Sequence, residues 1–131
     1  MLVNKKEPLI KGGKMETIIV TDKSPHIRKL ISREFEDLNC KIKKDFNQEE
    51  IIEFLKFPTT FTIILDPEFL TINPLIFIKK INEISPETII IVHAYDEWRD
   101  IFYPNKKLYF VEKNAESIET VKKFIQTTAF L

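Results

Sequence analysis

Four polar side chains stand just past short apolar runs of the sequence, namely Asp22, Asp66, His93 and Lys113. Two carboxylates held about 4 Å apart repel by roughly 4 kcal/mol at an effective dielectric near 20. A lysine ammonium relieves that repulsion, and so does a hard cation such as Mg²⁺, which accepts one or two carboxylates and keeps several waters. Because phosphoryl transfer mostly requires positioning and charge neutralisation, these residue types predict a phosphoryl-transfer site if the fold brings them together.

Five short runs of β-branched or apolar residues predict the strands of that fold. The third run is apolar apart from Thr62, as is typical of a strand covered on both faces. The second run is lysine-rich, which suits the edge of a sheet. The predicted strands are Thr17–Val20, Lys41–Phe46, Phe61–Leu65, Thr88–Val92 and Leu108–Val111.

Capping residues and apolar residues at helical spacing predict a helix after each strand. Ser24 with Pro25 is a favourable helix start, and Asn47 with Glu50 resembles a capping box. The predicted helices cover Pro25 to Leu38, Gln48 to Phe57, a third opened by Asn73 and Pro74 with Phe77, Ile78, Ile81 and Ile84 inward, Asp96 to Tyr103 stopped by Pro104, and a last one capped by Asn114.

This alternation predicts a doubly wound α/β fold with a five-stranded parallel sheet in the flavodoxin-like order 2-1-3-4-5. In such sheets, binding sites form beyond the carboxyl ends of the strands. We therefore expect Asp22, Asp66 and Lys113 to point into one shallow cleft, with His93 beside them.

Length and composition indicate one soluble domain of ordinary type. The chain has 131 residues, 44% hydrophobic and 31% charged, and 20 basic residues balance 20 acidic ones. A net charge of zero gives no general attraction to nucleic acid or anionic membrane. No apolar run is long enough to cross a bilayer, and a lone Cys40 cannot form an internal disulfide, so a cytoplasmic location is expected.

Residues 1–14 are predicted to form a flexible N-terminal tail, and residues 15–131 the domain. The tail has lysines but no apolar core, so it does not resemble a secretory signal. It contains both glycines of the chain, Gly12 and Gly13. Dinucleotide and P-loop sites need glycine in a turn between strand and helix, and this distribution argues against nucleotide-binding enzymes of similar layout.

Four segments, in order and at compatible spacing, resemble the response-regulator receiver domains of two-component signalling: Ile19–Arg28, Ile63–Asp66, Val92–Glu97 and Phe110–Lys113. The resemblance spans about residues 16 to 127. It implies that Asp66 accepts a phosphoryl group from a histidine kinase or a phosphotransfer protein. It also implies that Lys113 neutralises the phosphoryl oxygens, and that Asp22, Asp66 and Glu68 bind Mg²⁺.

The same resemblance implies a stand-alone signalling module rather than an enzyme. A downstream protein partner is expected on the face formed by helix 4, strand 5 and helix 5, with Phe110 at the aromatic switch position. Neither nucleic acid nor a membrane is expected as a partner, and the sequence leaves homodimer formation open.

The sequence departs from the receiver pattern at three positions. Thr21 stands where the family usually has an acid, His93 where it has Ser or Thr, and Asn114 where it has Pro. Thr21 predicts weak Mg²⁺ binding, which Thr21→Asp should tighten. His93 predicts only a modest conformational response to phosphorylation. The His93 imidazole is a candidate catalytic group, but a backbone hydrogen bond at the strand end is the role more expected of it.

Other interpretations stay open at this point. The domain could be a degenerate receiver that binds partners without phosphorylation, or a small hydrolase with Asp66 as its nucleophile. In simpler structural terms, Asp66 could end a strand before a turn, Asp22 could form an Asx turn ahead of Ser24, and Lys113 could be one more solvated lysine.

Overall fold

The computed structural model describes residues 10–11, 14–38, 40–57, 61–102 and 108–129. Within these residues, five strands form one all-parallel sheet in the order β2-β1-β3-β4-β5. This confirms the predicted flavodoxin-like α/β fold. The strands are β1 (Thr17–Val20), β2 (Lys41–Lys43), β3 (Phe61–Leu65), β4 (Ile89–Ala94) and β5 (Leu108–Glu112).

Five α-helices follow the strands in the described chain. Three of them begin at predicted caps: the side chains of Ser24, Asn47 and Asn73 accept hydrogen bonds from backbone N–H groups of the first helical turn. The reciprocal bond, in which the Glu50 carboxylate accepts from the Asn47 backbone N–H, is also present, so the predicted capping box is confirmed. The helices are α1 (Pro25–Glu34), α2 (Gln48–Phe54), α3 (Pro74–Ile84), α4 (Arg99–Phe102) and α5 (Ser117–Ala129).

The sheet is covered on both faces because successive side chains of its central strands point to opposite sides. Ile19 and Ile63 pack into a core with α2, α3 and α4. Ile18 and Ile64 pack into a second core with α1 and α5. All four isoleucines are fully buried, so the register of β1 against β3 is fixed from both sides.

That register aligns the carboxyl ends of the strands at one edge. Val20 pairs with Ile64, Leu65 with Val92, and Ala94 with Glu112. The residues that leave β1, β3 and β5 therefore begin at nearly the same level, and this alignment positions the candidate site.

Several predicted boundaries differ from the structure. The second strand ends at Lys43 instead of Phe46, whose ring packs edge-on against Phe54 at 5.1 Å between centroids. The second helix ends at Phe54 instead of Phe57. The prediction that Ile84 faces inward is wrong, because this residue closes α3 and is 36% exposed.

The remaining differences lie near the fourth helix and the amino terminus. The fourth helix is a 3₁₀ turn, Asp96–Trp98, followed by the four residues of α4, and the predicted end at Tyr103 and Pro104 falls outside the described residues. Ile10–Lys11 pairs antiparallel with Lys14–Met15, while residues 1–9 also fall outside the description. Within the described ranges, no helix combines the length and the apolar character needed to span a bilayer.

Candidate functional site

Lys113 joins Asp22 and Asp66 at the carboxyl edge of the sheet. Its Nζ lies 3.0 Å from Asp22 Oδ2 and 3.1 Å from Asp66 Oδ2. Both aspartates are 2% exposed, and the lysine side chain is 14% exposed. The three residues line one open cleft of about 400 Å³, so the prediction that they share a cleft is confirmed.

Asp22 serves the turn and the cleft with different oxygens. Its Oδ1 accepts a hydrogen bond from the backbone N–H of Ser24 at 2.9 Å, which is the Asx turn expected ahead of a helix cap. The guanidinium of Arg28 donates to the Asp22 carbonyl at 2.6 Å. With the loop fixed in this way, Oδ2 lies beside Lys113.

Asp66 is held by the turn that follows β3. Its Oδ1 accepts a hydrogen bond from the backbone N–H of Glu68 at 3.0 Å, where Pro67 opens a 3₁₀ turn. Its Oδ2 accepts from Lys113, and the backbone N–H of Lys23 approaches the same oxygen at 3.5 Å. Asp66 can therefore both end the strand and belong to a site, because one carboxylate oxygen closes the turn and the other lies in the cleft.

The charge on Lys113 is stabilised by its two acidic neighbours. Burial alone would lower the pKa of this lysine, but the contacts with Asp22 and Asp66 outweigh burial and raise the pKa above its usual value. The Lys113 backbone N–H donates to the Ala94 carbonyl at 2.8 Å, which anchors the end of β5. The exposed ring of Tyr95 lies 5.4 Å from Nζ, a distance at which a cation and an aromatic face attract.

Thr21 has a role that its position in the sequence does not reveal. Its hydroxyl donates to the Ile64 carbonyl at 2.9 Å and accepts from the Asp66 backbone N–H at 3.1 Å. The side chain is 1% exposed and bridges the ends of β1 and β3. An aspartate at this position could not donate to the carbonyl, so Thr21→Asp is expected to disturb the sheet edge as well as to add charge.

His93 is turned towards the start of α5. The imidazole is 3% exposed, and its Nε2 lies 2.7 Å from the Ser117 Oγ. Burial, aided by the positive charge of Lys113 and opposed by Asp22 and Asp66, lowers the pKa of His93 from 6.5 to about 4. The expected backbone hydrogen bond is therefore wrong: the ring contacts a side chain, and it is neutral at pH 7.

Ser117 was not among the candidates from the sequence. Its hydroxyl bonds to both backbone groups of Asn114, accepting from the N–H at 3.1 Å and donating to the carbonyl at 2.9 Å. The spacing of Asn114 and Ser117, three residues apart at a helix start, is the signal that predicts this local cap. Nothing in that spacing indicates that His93 reaches the same hydroxyl.

The predicted Mg²⁺ ligands are only partly brought together. Asp22 and Asp66 offer carboxylate oxygens that suit a hard cation. The buried Asp22 Oδ2 has an ionic contact with Lys113 but no well-directed hydrogen bond among the described residues, so it keeps lone pairs for another cation. Glu68 lines the cleft as an exposed residue, and the described chain has no cluster of three acidic, histidine or cysteine side chains arranged around a metal position.

Fold and site together define a flavodoxin-like α/β domain with two buried carboxylates and a lysine at its carboxyl edge. Comparison with known proteins adds no assignment to this description, because no protein-family model and no curated protein matches the chain.

Proposed function

We propose that this chain is a receiver-like signalling domain that accepts a phosphoryl group on Asp66. The observation that carries the proposal is the position of the Lys113 ammonium between Asp22 and Asp66 in an open cleft. A buried pair of carboxylates is costly unless a cation neutralises it. Such a pair suits a site that binds an anionic group and a metal ion, because the lysine can neutralise the anion while the carboxylates hold the metal.

The reaction is a phosphoryl transfer from a phosphohistidine of a histidine kinase or a phosphotransfer protein. One oxygen of the Asp66 carboxylate attacks phosphorus, the phosphorus–nitrogen bond of the donor breaks, and the imidazole leaves with the bonding electrons. The ammonium of Lys113, 3.1 Å from Asp66 Oδ2, offsets the negative charge brought by the phosphoryl oxygens. Asp22 and Asp66 would hold Mg²⁺, which neutralises charge on the transferring group when bound.

Intact-mass spectrometry after treatment with acetyl phosphate, with and without Mg²⁺, tests the proposal. We expect the wild type to gain one phosphoryl group in a Mg²⁺-dependent manner. Asp66→Asn should abolish the gain, whereas Asp96→Asn should leave it unchanged, because Asp96 is exposed and forms a surface ion pair with Arg99. Labelling that persists in Asp66→Asn would contradict the proposal.

A second candidate function is a degenerate receiver that binds its partner without phosphorylation. The engagement of Thr21 within the sheet edge and of His93 with Ser117 favours it, because neither side chain is free to serve an incoming phosphoryl group. The partner would dock on the face formed by α4, β5 and α5, where Ile101 and Tyr109 are 45% and 43% exposed. Partner binding that is equal for wild type and Asp66→Asn would favour this candidate.

Both candidates are signalling roles in the cytoplasm rather than enzymatic turnover. They differ in one measurable respect, which is whether acetyl phosphate and Mg²⁺ change the affinity for the partner. A change that Asp66→Asn removes supports the phosphoacceptor, and no change supports the degenerate receiver.

A further inference from the structure

Three polar groups contact the hydroxyl of Ser117. The hydroxyl has one proton and two lone pairs. The Asn114 N–H lies 3.1 Å from Oγ, the Asn114 carbonyl oxygen 2.9 Å, and His93 Nε2 2.7 Å. The N–H can only donate and the carbonyl can only accept. All three contacts are satisfied only if Ser117 donates to the carbonyl and accepts from both Asn114 and His93.

This proton count determines the tautomer of His93. The ring must carry its proton on Nε2 and donate it to Ser117. The opposite tautomer would place the proton on Nδ1, which is buried and has no hydrogen-bond partner among the described residues. Because a buried N–H without an acceptor loses its hydrogen bond to water uncompensated, we assign the proton to Nε2 and a bare lone pair to Nδ1.

We propose that Ser117 is a positioning residue that holds His93 so that neither ring nitrogen can donate a hydrogen bond to a group on Asp66. His93 lines the cleft together with Asp66 and Lys113. Its one donor is directed at α5, and its other nitrogen has no proton. A phosphoryl group on Asp66 therefore receives positive charge from Lys113 but no donor from position 93.

The inference rests on the proposed function and deepens it, since it concerns how strongly the cleft binds a phosphoryl group. The neutral state of His93 at pH 7 agrees with it, because a protonated ring would carry donors on both nitrogens. The consequence is that Ser117, which itself lines the cleft, weakens the anion site through the proton it holds on His93. Removing its hydroxyl should release a donor to the cleft.

Ring-nitrogen NMR of the wild type tests the proton assignment without any ligand. At pH 7 we expect a single His93 tautomer with the proton on Nε2. The exposed His26 provides an internal control, because a solvated ring exchanges between both tautomers. A His93 proton on Nδ1, or a ring that averages as His26 does, would overturn the inference.

A beryllofluoride titration in the presence of Mg²⁺, followed by fluorine NMR, tests the consequence. Ser117→Ala should bind this phosphoryl mimic about tenfold more tightly than the wild type, the ratio expected from one added hydrogen bond. His93→Thr, which places a short hydroxyl at the same position, should also bind more tightly. Thr127→Ala should equal the wild type, because it removes an exposed hydroxyl of the same helix.

Affinity that is unchanged in both Ser117→Ala and His93→Thr would overturn the inference. If Ser117→Ala does not fold, His93→Thr and the ring-nitrogen spectrum of the wild type still decide it. If beryllofluoride binds none of the proteins, the proposed function fails, and the ring nitrogens independently show whether Ser117 directs the proton of His93.

Discussion

The two walls of the cleft satisfy their buried polar groups in opposite ways. On one wall, Asp22 and Asp66 are neutralised by the charge of Lys113 at 3.0 and 3.1 Å. On the other, His93 and Ser117 form a neutral pair whose donors are fully used within the protein. Charge can be redistributed when a cation or an anion enters, whereas a neutral pair of this kind offers an incoming anion no hydrogen-bond donor.

The cleft therefore combines a charged half, formed by Asp22, Asp66 and Lys113, with a closed half, in which the donors of His93 and Ser117 are already used. Thr21 belongs with the closed half, since its hydroxyl is used between Ile64 and Asp66. A site built in this way should bind a phosphoryl group mainly by charge. It should transmit little of that event through position 93.

The largest expected effect comes from removing the charge that joins the two aspartates. Lys113→Met leaves two nearly buried carboxylates without their counter-ion, and we expect unfolding free energy to fall by roughly 3 kcal/mol. Denaturant unfolding measures this loss. Lys123→Met is the matched control, because that side chain is 74% exposed and should cost little. Equal stability of the two variants would show that the charged wall does not depend on Lys113.

The next effect is the pH dependence of the unfolding free energy, which arises from the buried His93 on the neutral wall of the cleft. The pKa of His93 is about 4 in the folded protein and 6.5 in the unfolded chain. Between these pH values the unfolded chain binds more protons than the folded protein. The contribution of the neutral, buried His93 to the unfolding free energy is therefore intact above pH 6.5 and is lost as the pH falls towards 4. The full loss is about 3 kcal/mol, at about 1.4 kcal/mol for each pKa unit.

The measurement is unfolding free energy against pH for wild type, His93→Gln and His26→Gln. Carboxylates also titrate in this range, so the quantity of interest is the difference in slope between variants. His93→Gln should flatten the slope between pH 6.5 and 4. His26→Gln should keep the wild-type slope, because His26 is exposed. An unchanged slope in His93→Gln would show that the buried imidazole accepts a proton without cost.

A smaller effect is expected at the bridge between β1 and β3. Thr21→Val keeps the shape of the side chain but leaves the Ile64 carbonyl and the Asp66 N–H without their partner. We expect a loss of about 2 kcal/mol. Thr127→Val, which removes an exposed hydroxyl of α5, should change stability by much less, and a comparable loss in both variants would contradict a special role for Thr21.

The smallest effect is the conformational response to a phosphoryl group. We expect amide shifts on beryllofluoride binding to stay near Asp22, Asp66 and Lys113, because position 93 makes no new contact. A group shifts a conformational equilibrium only by its differential affinity for the two states. Large amide shifts that reach Trp98 and Phe110 would show that phosphoryl binding is transmitted past position 93, and would contradict the expectation that this half of the cleft is closed.

The sequence predicted the fold and the charged wall because both depend on local patterns. The run Phe61–Leu65 matches β3 residue for residue, since a run that is apolar apart from Thr62 and lies between polar residues is typical of a buried strand. Once the parallel order was predicted, Asp66 and Lys113 had to lie at the same edge. The three side chains could therefore be placed together before any distance was known.

The neutral wall could not be predicted in the same way. His93 and Ser117 are 24 residues apart on different elements, and the direction of an imidazole at a strand end depends on which helix packs above it. Charge considerations at position 21 do not reveal the role of the Thr21 hydroxyl, which is to hydrogen-bond between two strands. The prediction that Ile84 faces inward was wrong for a related reason. Helical spacing predicts which face of a helix is apolar but does not show where the helix extends past the core.

Mapping of the phosphoryl label along the chain tests our proposal that Asp66 is the phosphoacceptor. The wild type is treated with acetyl phosphate and Mg²⁺, the acyl phosphate is reduced with borohydride, and the modified residue is located by peptide mass spectrometry. We expect conversion of Asp66 alone. Absence of any reduced residue, or reduction at Asp22 or Glu68 with Asp66 intact, would contradict the proposal.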